Sequence, residues 1–130
     1  MAIFSLNEVR TEQIKNIAND NFESWPESAT YGYFAGGINP AVSPSYVATV
    51  DRIDFLNETA SLPGNNLPSG RKEIGTVSSS SYGYFGGGRD PSGSPTFVDT
   101  VDRLDFSNET TSAPGNNLPQ ARSDLAAVSN

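Results

Sequence analysis

Four aspartates are the first candidates for chemistry in this chain, because they recur in two similar stretches. Asp51 and Asp54 lie in the first stretch, and Asp102 and Asp105 lie in the second. Paired carboxylates can bind calcium or perform general acid–base catalysis. Residues three apart on a strand point to opposite faces, however, so neither pair forms a dyad unless a bulge intervenes. The spacing favours a structural role instead, in which the aspartates pair with arginines or accept hydrogen bonds from turn amides.

Two other motifs invite a functional interpretation. Asn57-Glu-Thr59 and Asn108-Glu-Thr110 match the N-glycosylation pattern, and the glycine runs Gly36-Gly37 and Gly86-Gly-Gly88 could suggest a phosphate-binding loop. The N-terminus lacks the basic start and apolar core of a signal peptide, and neither glycine run has the lysine and following helix of a phosphate loop. We therefore interpret both motifs as turns.

The composition excludes several classes of function. The chain has no histidine and no cysteine, so imidazole-based catalysis, disulfides and zinc–thiolate sites are impossible. The net charge is −7, from 15 acidic and 8 basic residues, and no basic stripe is present. Nucleic acid and anionic membrane surfaces are therefore not expected partners. No apolar run approaches the roughly 18 residues that a membrane span needs, so we expect no membrane insertion. We also expect no catalytic residue, no cofactor and no metal.

An internal repeat dominates the chain. Tyr31-Gly-Tyr-Phe-Ala-Gly-Gly37 returns as Tyr82-Gly-Tyr-Phe-Gly-Gly-Gly88, an offset of 51 from residue 31 to residue 82. Aligning residues 31–79 with 82–130 needs no gap, and 29 of the 49 pairs are identical. A period near fifty residues with a double glycine after an aromatic strand is typical of propeller blades.

Each repeat is expected to form four strands. In the first repeat these are Thr30 to Phe34, Tyr46 to Phe55, Thr59 to Leu62 and Glu73 to Ser79, separated by glycine, asparagine and proline turn signals. Four strands per period correspond to one blade. The predicted domains are therefore an N-terminal segment (1–29), a first blade (30–81) and a second blade (82–130).

Residues 1–29 lie outside the repeat and are expected to form an attachment segment. Ser5-Leu-Asn-Glu8 fits a capping box, which predicts a short helix over about residues 6–18. A lone helix of this length is marginal in water and needs a surface to dock on. The segment either covers the edge of the first repeat or anchors the protein in a larger assembly. The candidate anchor residues are its large apolar side chains: Phe4, Leu6, Val9, Ile14, Ile17, Phe22 and Trp25.

The repeats resemble the kelch family of β-propeller proteins. The features that carry the resemblance are Phe34 with Gly36-Gly37, the strand from Val50 to Phe55, Leu67-Pro68 and Arg71, each of which recurs 51 residues later. The tryptophan of the kelch pattern is absent from both repeats. Over the whole chain, the sequence is similar to kelch-like proteins of tailed bacteriophages, in particular those that infect marine cyanobacteria. That resemblance implies a virion component, of tail-fibre, neck or capsid-appendage type, on the phage particle.

Two blades cannot close a ring, because propellers use about four to eight. We therefore expect an all-β protein of two four-stranded kelch-like blades, preceded by a short helical segment, that is part of a larger propeller. The preferred explanation is a longer chain with more blades. The alternative is a homo-oligomer in which three chains contribute six blades.

The loops after the double glycines differ most between the repeats. Residues 38–46 and 89–97 diverge while the flanking strands are nearly fixed, which is typical either of a binding rim on a rigid frame or of unconstrained loop drift. We expect a non-enzymatic structural or adhesion protein whose partners are other virion proteins, through residues 1–29. The alternative is a lectin-like propeller that binds host-surface glycans. The candidate binding-loop residues are Ile38, Asn39, Val42, Tyr46, Arg89, Asp90 and Phe97.

Overall fold

The computed structural model of the chain describes residues 29–91 and 96–130. Residues Tyr31–Asn130 form one compact unit, and its described part is all-β, without a helix. The predicted N-terminal helix lies outside the described residues. So do the candidate anchor residues Phe4, Leu6, Val9, Ile14, Ile17, Phe22 and Trp25.

In the described part, seven strands form two antiparallel sheets. The first sheet has the order β1-β2-β3, with β1 at Tyr31–Ala35, β2 at Val50–Asp54 and β3 at Thr59–Ser61. The second has the order β4-β5-β6-β7, with β4 at Gly75–Ser78, β5 at Tyr82–Gly86, β6 at Val101–Asp105 and β7 at Thr111–Ser112. The strand register repeats as well, since Tyr31 pairs with Asp54 and Tyr82 with Asp105.

The double glycine fixes where β1 ends. Gly36 and Gly37 have φ angles of 72° and 110°, in the left-handed region that favours glycine. A Cβ atom on Gly36 would also lie 2.4 Å from the carbonyl oxygen of Arg71, so no other residue fits there without a shift. The chain therefore turns away after Ala35. Because β2 pairs with β1, and Ala35 pairs with Val50, β2 begins where β1 ends. The strand expected from Tyr46 to Phe55 is therefore shorter and spans Val50–Asp54.

The expected fourth strand of the first repeat belongs to the second sheet. The sequence pattern predicts Glu73 to Ser79 as a strand of the first blade, but β4 pairs with β5 in a register that runs from Gly75↔Gly86 to Ser78↔Gly83. The reason lies just before β4, where the backbone of Lys72 exchanges two hydrogen bonds with that of Arg89 (3.1 and 2.9 Å). The chain is already paired with the second repeat when β4 begins. The first sheet consequently has three strands among the described residues, and not four.

The hairpin after each central strand is closed by side chains that accept hydrogen bonds from backbone amides. Oδ1 of Asp54 and Oδ1 of Asn57 each accept the N–H two residues ahead, at 2.8 and 3.1 Å. Asp105 and Asn108 do the same at 2.8 and 3.0 Å. These are Asx turns, which the local sequence pattern predicts. The bonds to Ser107 lower the pKa of the Asp105 carboxyl.

A buried arginine joins the two sheets. Arg71 follows the first sheet in sequence, and its guanidinium inserts into the second repeat with no exposed surface. Nη1 donates to the carbonyl oxygens of Gly87 (3.1 Å) and Thr100 (3.2 Å), and Nη2 forms an ion pair with the carboxylate of Asp102 on β6. Asp102 is itself only 1% exposed, and burial raises the pKa of its carboxyl while Arg71 opposes that rise.

Apolar side chains surround this ion pair. Phe85 and Leu104, on the face of the second sheet that includes Asp102, form a core cluster with Val50 and Leu67 of the first repeat. All four side chains are at most 4% exposed. Burying a side chain of this size contributes about 1.5–3 kcal/mol. The same packing places the Arg71–Asp102 pair in a dry environment.

A second polar contact lies between the repeats, near the hairpin turns. Glu109 accepts hydrogen bonds from Arg52 Nη1 at 2.8 Å and from the Tyr33 hydroxyl at 3.1 Å. The Tyr33 ring stacks on Phe106 with centroids 5.5 Å apart and an interplanar angle of 8°. Burial and the bond to Glu109 raise the pKa of Tyr33 to about 12. The Arg71–Asp102 ion pair and the Tyr33–Glu109 hydrogen bond therefore connect the two repeats at separate points.

We predict that Asp102→Asn lowers the free energy of unfolding by about 3 kcal/mol, because it leaves the Arg71 charge buried without a counterion. The matched control is Asp51→Asn, the equivalent position of the first repeat, where the carboxylate is exposed. We expect this control to change stability by less than about 0.5 kcal/mol. Urea unfolding in dilute solution measures both values, and equal losses in the two variants would contradict the assigned role of the ion pair.

Candidate functional site

The two divergent loops start from the same backbone frame in each repeat. Gly37 N–H donates to the Arg71 carbonyl at 2.7 Å, and Gly88 N–H donates to the Arg122 carbonyl at 2.8 Å. The Val47 and Val98 amides then close the loops by donating to the carbonyls of these glycines, at 3.0 and 3.1 Å. Both loops therefore leave their sheets at equivalent points, whatever their own sequences are.

Each loop is also closed by a short β-bridge. Ile38 pairs with Tyr46 in the first loop, and Arg89 pairs with Phe97 in the second. Asn39 strengthens the first loop, because its amide donates to the Ser45 carbonyl at 2.7 Å and its Oδ1 accepts the Ala41 N–H at 3.0 Å. In the second loop the Asp90 amide donates to the Thr96 carbonyl at 2.9 Å. The tip of this loop, residues 92–95, lies outside the described residues.

Lys72 and Glu73 connect the two loops. The Lys72 ammonium lies 5.3 Å from the centroid of the Tyr46 ring, and the Arg89 guanidinium lies 5.3 Å from that of Phe97. Glu73 stands between the two cations, with Oε1 2.6 Å from Lys72 Nζ and Oε2 4.0 Å from Arg89 Nε. We call this array of Tyr46, Lys72, Glu73, Arg89 and Phe97 the rim.

Cationic side chains lie at both ends of the rim, and the carboxylate of Glu73 lies between them. The hydrogen bond with Glu73 raises the pKa of Lys72, and the same bond lowers the pKa of Glu73, so both groups are ionised at neutral pH. The rim carries two cations and one anion, in a chain whose net charge is −7. The Lys72 and Arg89 side chains are 20% and 37% exposed, and a cation–π contact that keeps some exposure to water is worth about 1 kcal/mol. The array can offer aromatic rings and hydrogen-bond donors to a ligand.

The structure brings together only part of the predicted binding-loop set. Tyr46, Arg89 and Phe97 meet in the rim. Ile38 and Val42 are 55% and 47% exposed beside it, and Asn39 serves its own loop. Asp90 contributes its backbone to closing the second loop.

Sequence analysis missed Lys72 and Glu73. A signal was available, because Lys72 aligns with Ser123 and Glu73 with Asp124, so both positions differ between the repeats as the loops do. They were overlooked because they lie outside the loops in sequence, and only the pairing of Lys72 with Arg89 brings them to the same edge.

Within residues 29–91 and 96–130, no group of three or more acidic side chains could hold a metal ion. A cleft of about 330 Å³ between the sheets is lined by tyrosine, serine, glycine and apolar side chains such as Tyr31, Thr76 and Phe106, without a charged group. No helix in the described part of the chain is long and apolar enough to cross a membrane.

Comparison with known proteins adds no relative: no protein-family model matches the chain, and neither does any curated protein. The kelch-like and phage assignments therefore stay predictions.

Proposed function

We propose that this chain is a non-enzymatic structural and adhesion protein of a phage virion, as a tail-fibre, neck or capsid appendage. In this proposal residues 30–130 are kelch-like propeller blades, and residues 1–29 attach them to other virion proteins. The observation that carries the adhesion role is the rim, because the segments that differ between the repeats meet at one edge of a frame that hardly differs. The virion assignment is supported by the sequence resemblance alone.

A rigid frame suits this role. Consecutive repeats are joined by the buried Arg71–Asp102 pair and the Tyr33–Glu109 hydrogen bond, and not by a flexible linker. Loops on such a frame can change without loss of the fold, which is how many binding proteins vary their specificity. The residues of the rim can contact a surface, whereas Asp54 and Asp105 hold turns and Asp102 holds a buried ion pair.

We predict that deleting residues 1–29 leaves a folded, β-rich protein that is no longer incorporated into phage particles. Because such a deletion could disturb the blades, the point variants Ile14→Asp and Ile17→Asp test the same attachment without shortening the chain. Circular dichroism checks folding, and immunodetection on purified particles measures incorporation. Particles that carry truncated and full-length protein equally would contradict the attachment role.

A lectin-like propeller that recognises host-surface glycans is the second candidate. The observation that favours it is the partial exposure of the rim aromatics, with Phe97 44% exposed and Tyr46 half-buried. The apolar face of a sugar ring packs well on an aromatic ring, and the neighbouring Lys72 and Arg89 can donate hydrogen bonds to its hydroxyl or carboxylate groups.

We predict that replacing residues 89–97 by the sequence of residues 38–46 lowers binding to host cells or glycan arrays at least tenfold. The matched control replaces residues 107–113 by 56–62, an exchange between the same repeats in the hairpin after the central strand, away from the rim. This control is expected to bind like the unmodified chain. Cell binding without glycan binding would favour a protein receptor, and unchanged binding after the 89–97 exchange would rule out the rim.

A further inference from the structure

The junction between the two repeats has a counterpart on each outer face of the molecule. Several side chains of the second repeat pack against the first repeat at the junction. Their equivalents lie 51 positions earlier in the first repeat, and no described residue covers those equivalents. We call these the leading face: Phe34, Asp51, Ile53, Phe55 and Glu58. Each junction residue of the first repeat likewise has an equivalent in the second. We call these the trailing face: Tyr84, Val101, Arg103, Leu118, Arg122 and Leu125.

The exposures show that both faces are open. Phe85 is 4% exposed at the junction, whereas its equivalent Phe34 is 66% exposed. Asp102 and Arg71 are buried against each other, whereas their equivalents Asp51 and Arg122 are both exposed. Phe55, the equivalent of the stacked Phe106, is 52% exposed.

The trailing face carries an apolar groove that matches the site in which Phe85 and Leu104 pack at the junction. At the junction, Phe85 and Leu104 pack in a setting formed by Tyr33, Val50 and Leu67. The equivalents of these three residues are Tyr84, Val101 and Leu118. They line part of a groove of about 220 Å³ on the trailing face, to which Arg122, Leu125 and residues 126–128 also contribute.

The charges of the two faces are complementary as well. Arg122 on the trailing face is the equivalent of Arg71, and Asp51 on the leading face is the equivalent of its partner Asp102. Arg103 and Glu58 repeat the Arg52–Glu109 ion pair in the same way. Two contacts are not reproduced. Thr111, whose hydroxyl donates to the Asn66 carbonyl at the junction (2.6 Å), has Ala60 as its equivalent, and Arg89, which faces Glu73, has Ile38.

The strand edges of the two faces are also compatible with antiparallel β-pairing. β1 is an edge strand among the described residues, because β4 has no counterpart in the first sheet. Residues 126–129, the equivalents of β4, form no strand. Shifting the β4–β5 register by 51 would pair Ala126 with Ala35 and Ser129 with Gly32 of another repeat. This is addition of a strand to an exposed sheet edge.

We propose that a second copy of this chain docks head to tail on the first, with the leading face of one copy in the trailing face of the other. Phe34 and Ile53 enter the apolar groove, Arg122 pairs with Asp51, and residues 126–129 complete the first sheet of the next copy. The occupant is a second copy because only the repeat unit itself has been shown to fit such a face. The inference rests on the junction, and not on the proposed adhesion role.

Two charge variants of the 130-residue chain test the proposal by native mass spectrometry and light scattering. We expect the unmodified chain to self-associate. Asp51→Asn and Arg122→Gln should each weaken self-association at least about 100-fold, because each leaves one buried charge unpaired. An equimolar mixture should form a 1:1 dimer, since Arg122 of the first variant meets Asp51 of the second in one intact junction. The control Asp54→Asn removes the same charge from the opposite strand face and should assemble normally.

Several outcomes would overturn the proposal. A monomeric unmodified chain at concentrations of several hundred micromolar would show that the leading and trailing faces do not bind each other. Self-association without rescue in the mixture would indicate a symmetric interface, in which both copies use the same face. Either result excludes head-to-tail docking.

Cross-linking tests the register of the added strand. The chain has no cysteine, so the variants Ala126→Cys and Ala35→Cys introduce one thiol each. Paired residues on antiparallel strands have Cα atoms about 4.5–5.5 Å apart, within reach of a disulfide. Mixing the two variants under oxidation should give a heterodimer. A mixture of Ala126→Cys with Ala60→Cys, on exposed strand β3 at the far edge of the sheet, should not. Equal cross-linking in both mixtures would contradict the register.

Discussion

The structure depends on one guanidinium buried between two β-sheets. A buried arginine is costly unless its charge is paired, and Nη1 and Nη2 of Arg71 bind two carbonyl oxygens and the carboxylate of Asp102, although its Nε has no hydrogen-bond partner. All three acceptors belong to the second repeat, while the arginine belongs to the first. Moving the sheets apart therefore breaks the ion pair and both hydrogen bonds to the carbonyl oxygens.

This constraint explains how two small sheets can form one compact unit. The first sheet has three short strands among the described residues, and its apolar face would be exposed to water if the sheet stood alone. Stacking buries that face against Phe85 and Leu104, and the arginine fixes the relative position of the two sheets. Repeat proteins are generally stabilised in this way, through interfaces between neighbouring units. The sheet faces that point away from the junction stay exposed, as Phe34 does on the first sheet.

Most of the frame was predictable from sequence. The period of 51, a first strand one residue away from that expected over Thr30 to Phe34, the turns that follow the central strand and the structural role of the double glycines follow from local chemistry. The partner of β4 was not predictable, because its strand pattern fits either sheet equally well. The role of Arg71 was missed for a related reason: its acceptors lie 16 to 31 positions ahead in another repeat, and two of them are backbone carbonyls, which leave no mark in the sequence.

The rim shows the same limit. Divergence between repeats identified the loops that carry Tyr46 and Phe97, since loops on a fixed frame change freely. It did not identify Lys72 and Glu73 as their neighbours, because that proximity follows from a backbone pairing between repeats. Contacts within one repeat could be inferred from the period, whereas contacts between repeats required the structure.

The central claim is that the buried arginine makes the two repeats a single cooperative unit. Native-state hydrogen exchange tests it most directly, by comparing the amides of β2 in the first sheet with those of β6 in the second. The account predicts that both sets exchange in dilute solution with the same free energy, equal to that of global unfolding measured with urea. Exchange of β2 through a separate opening of clearly lower free energy, while β6 stays protected, would contradict it.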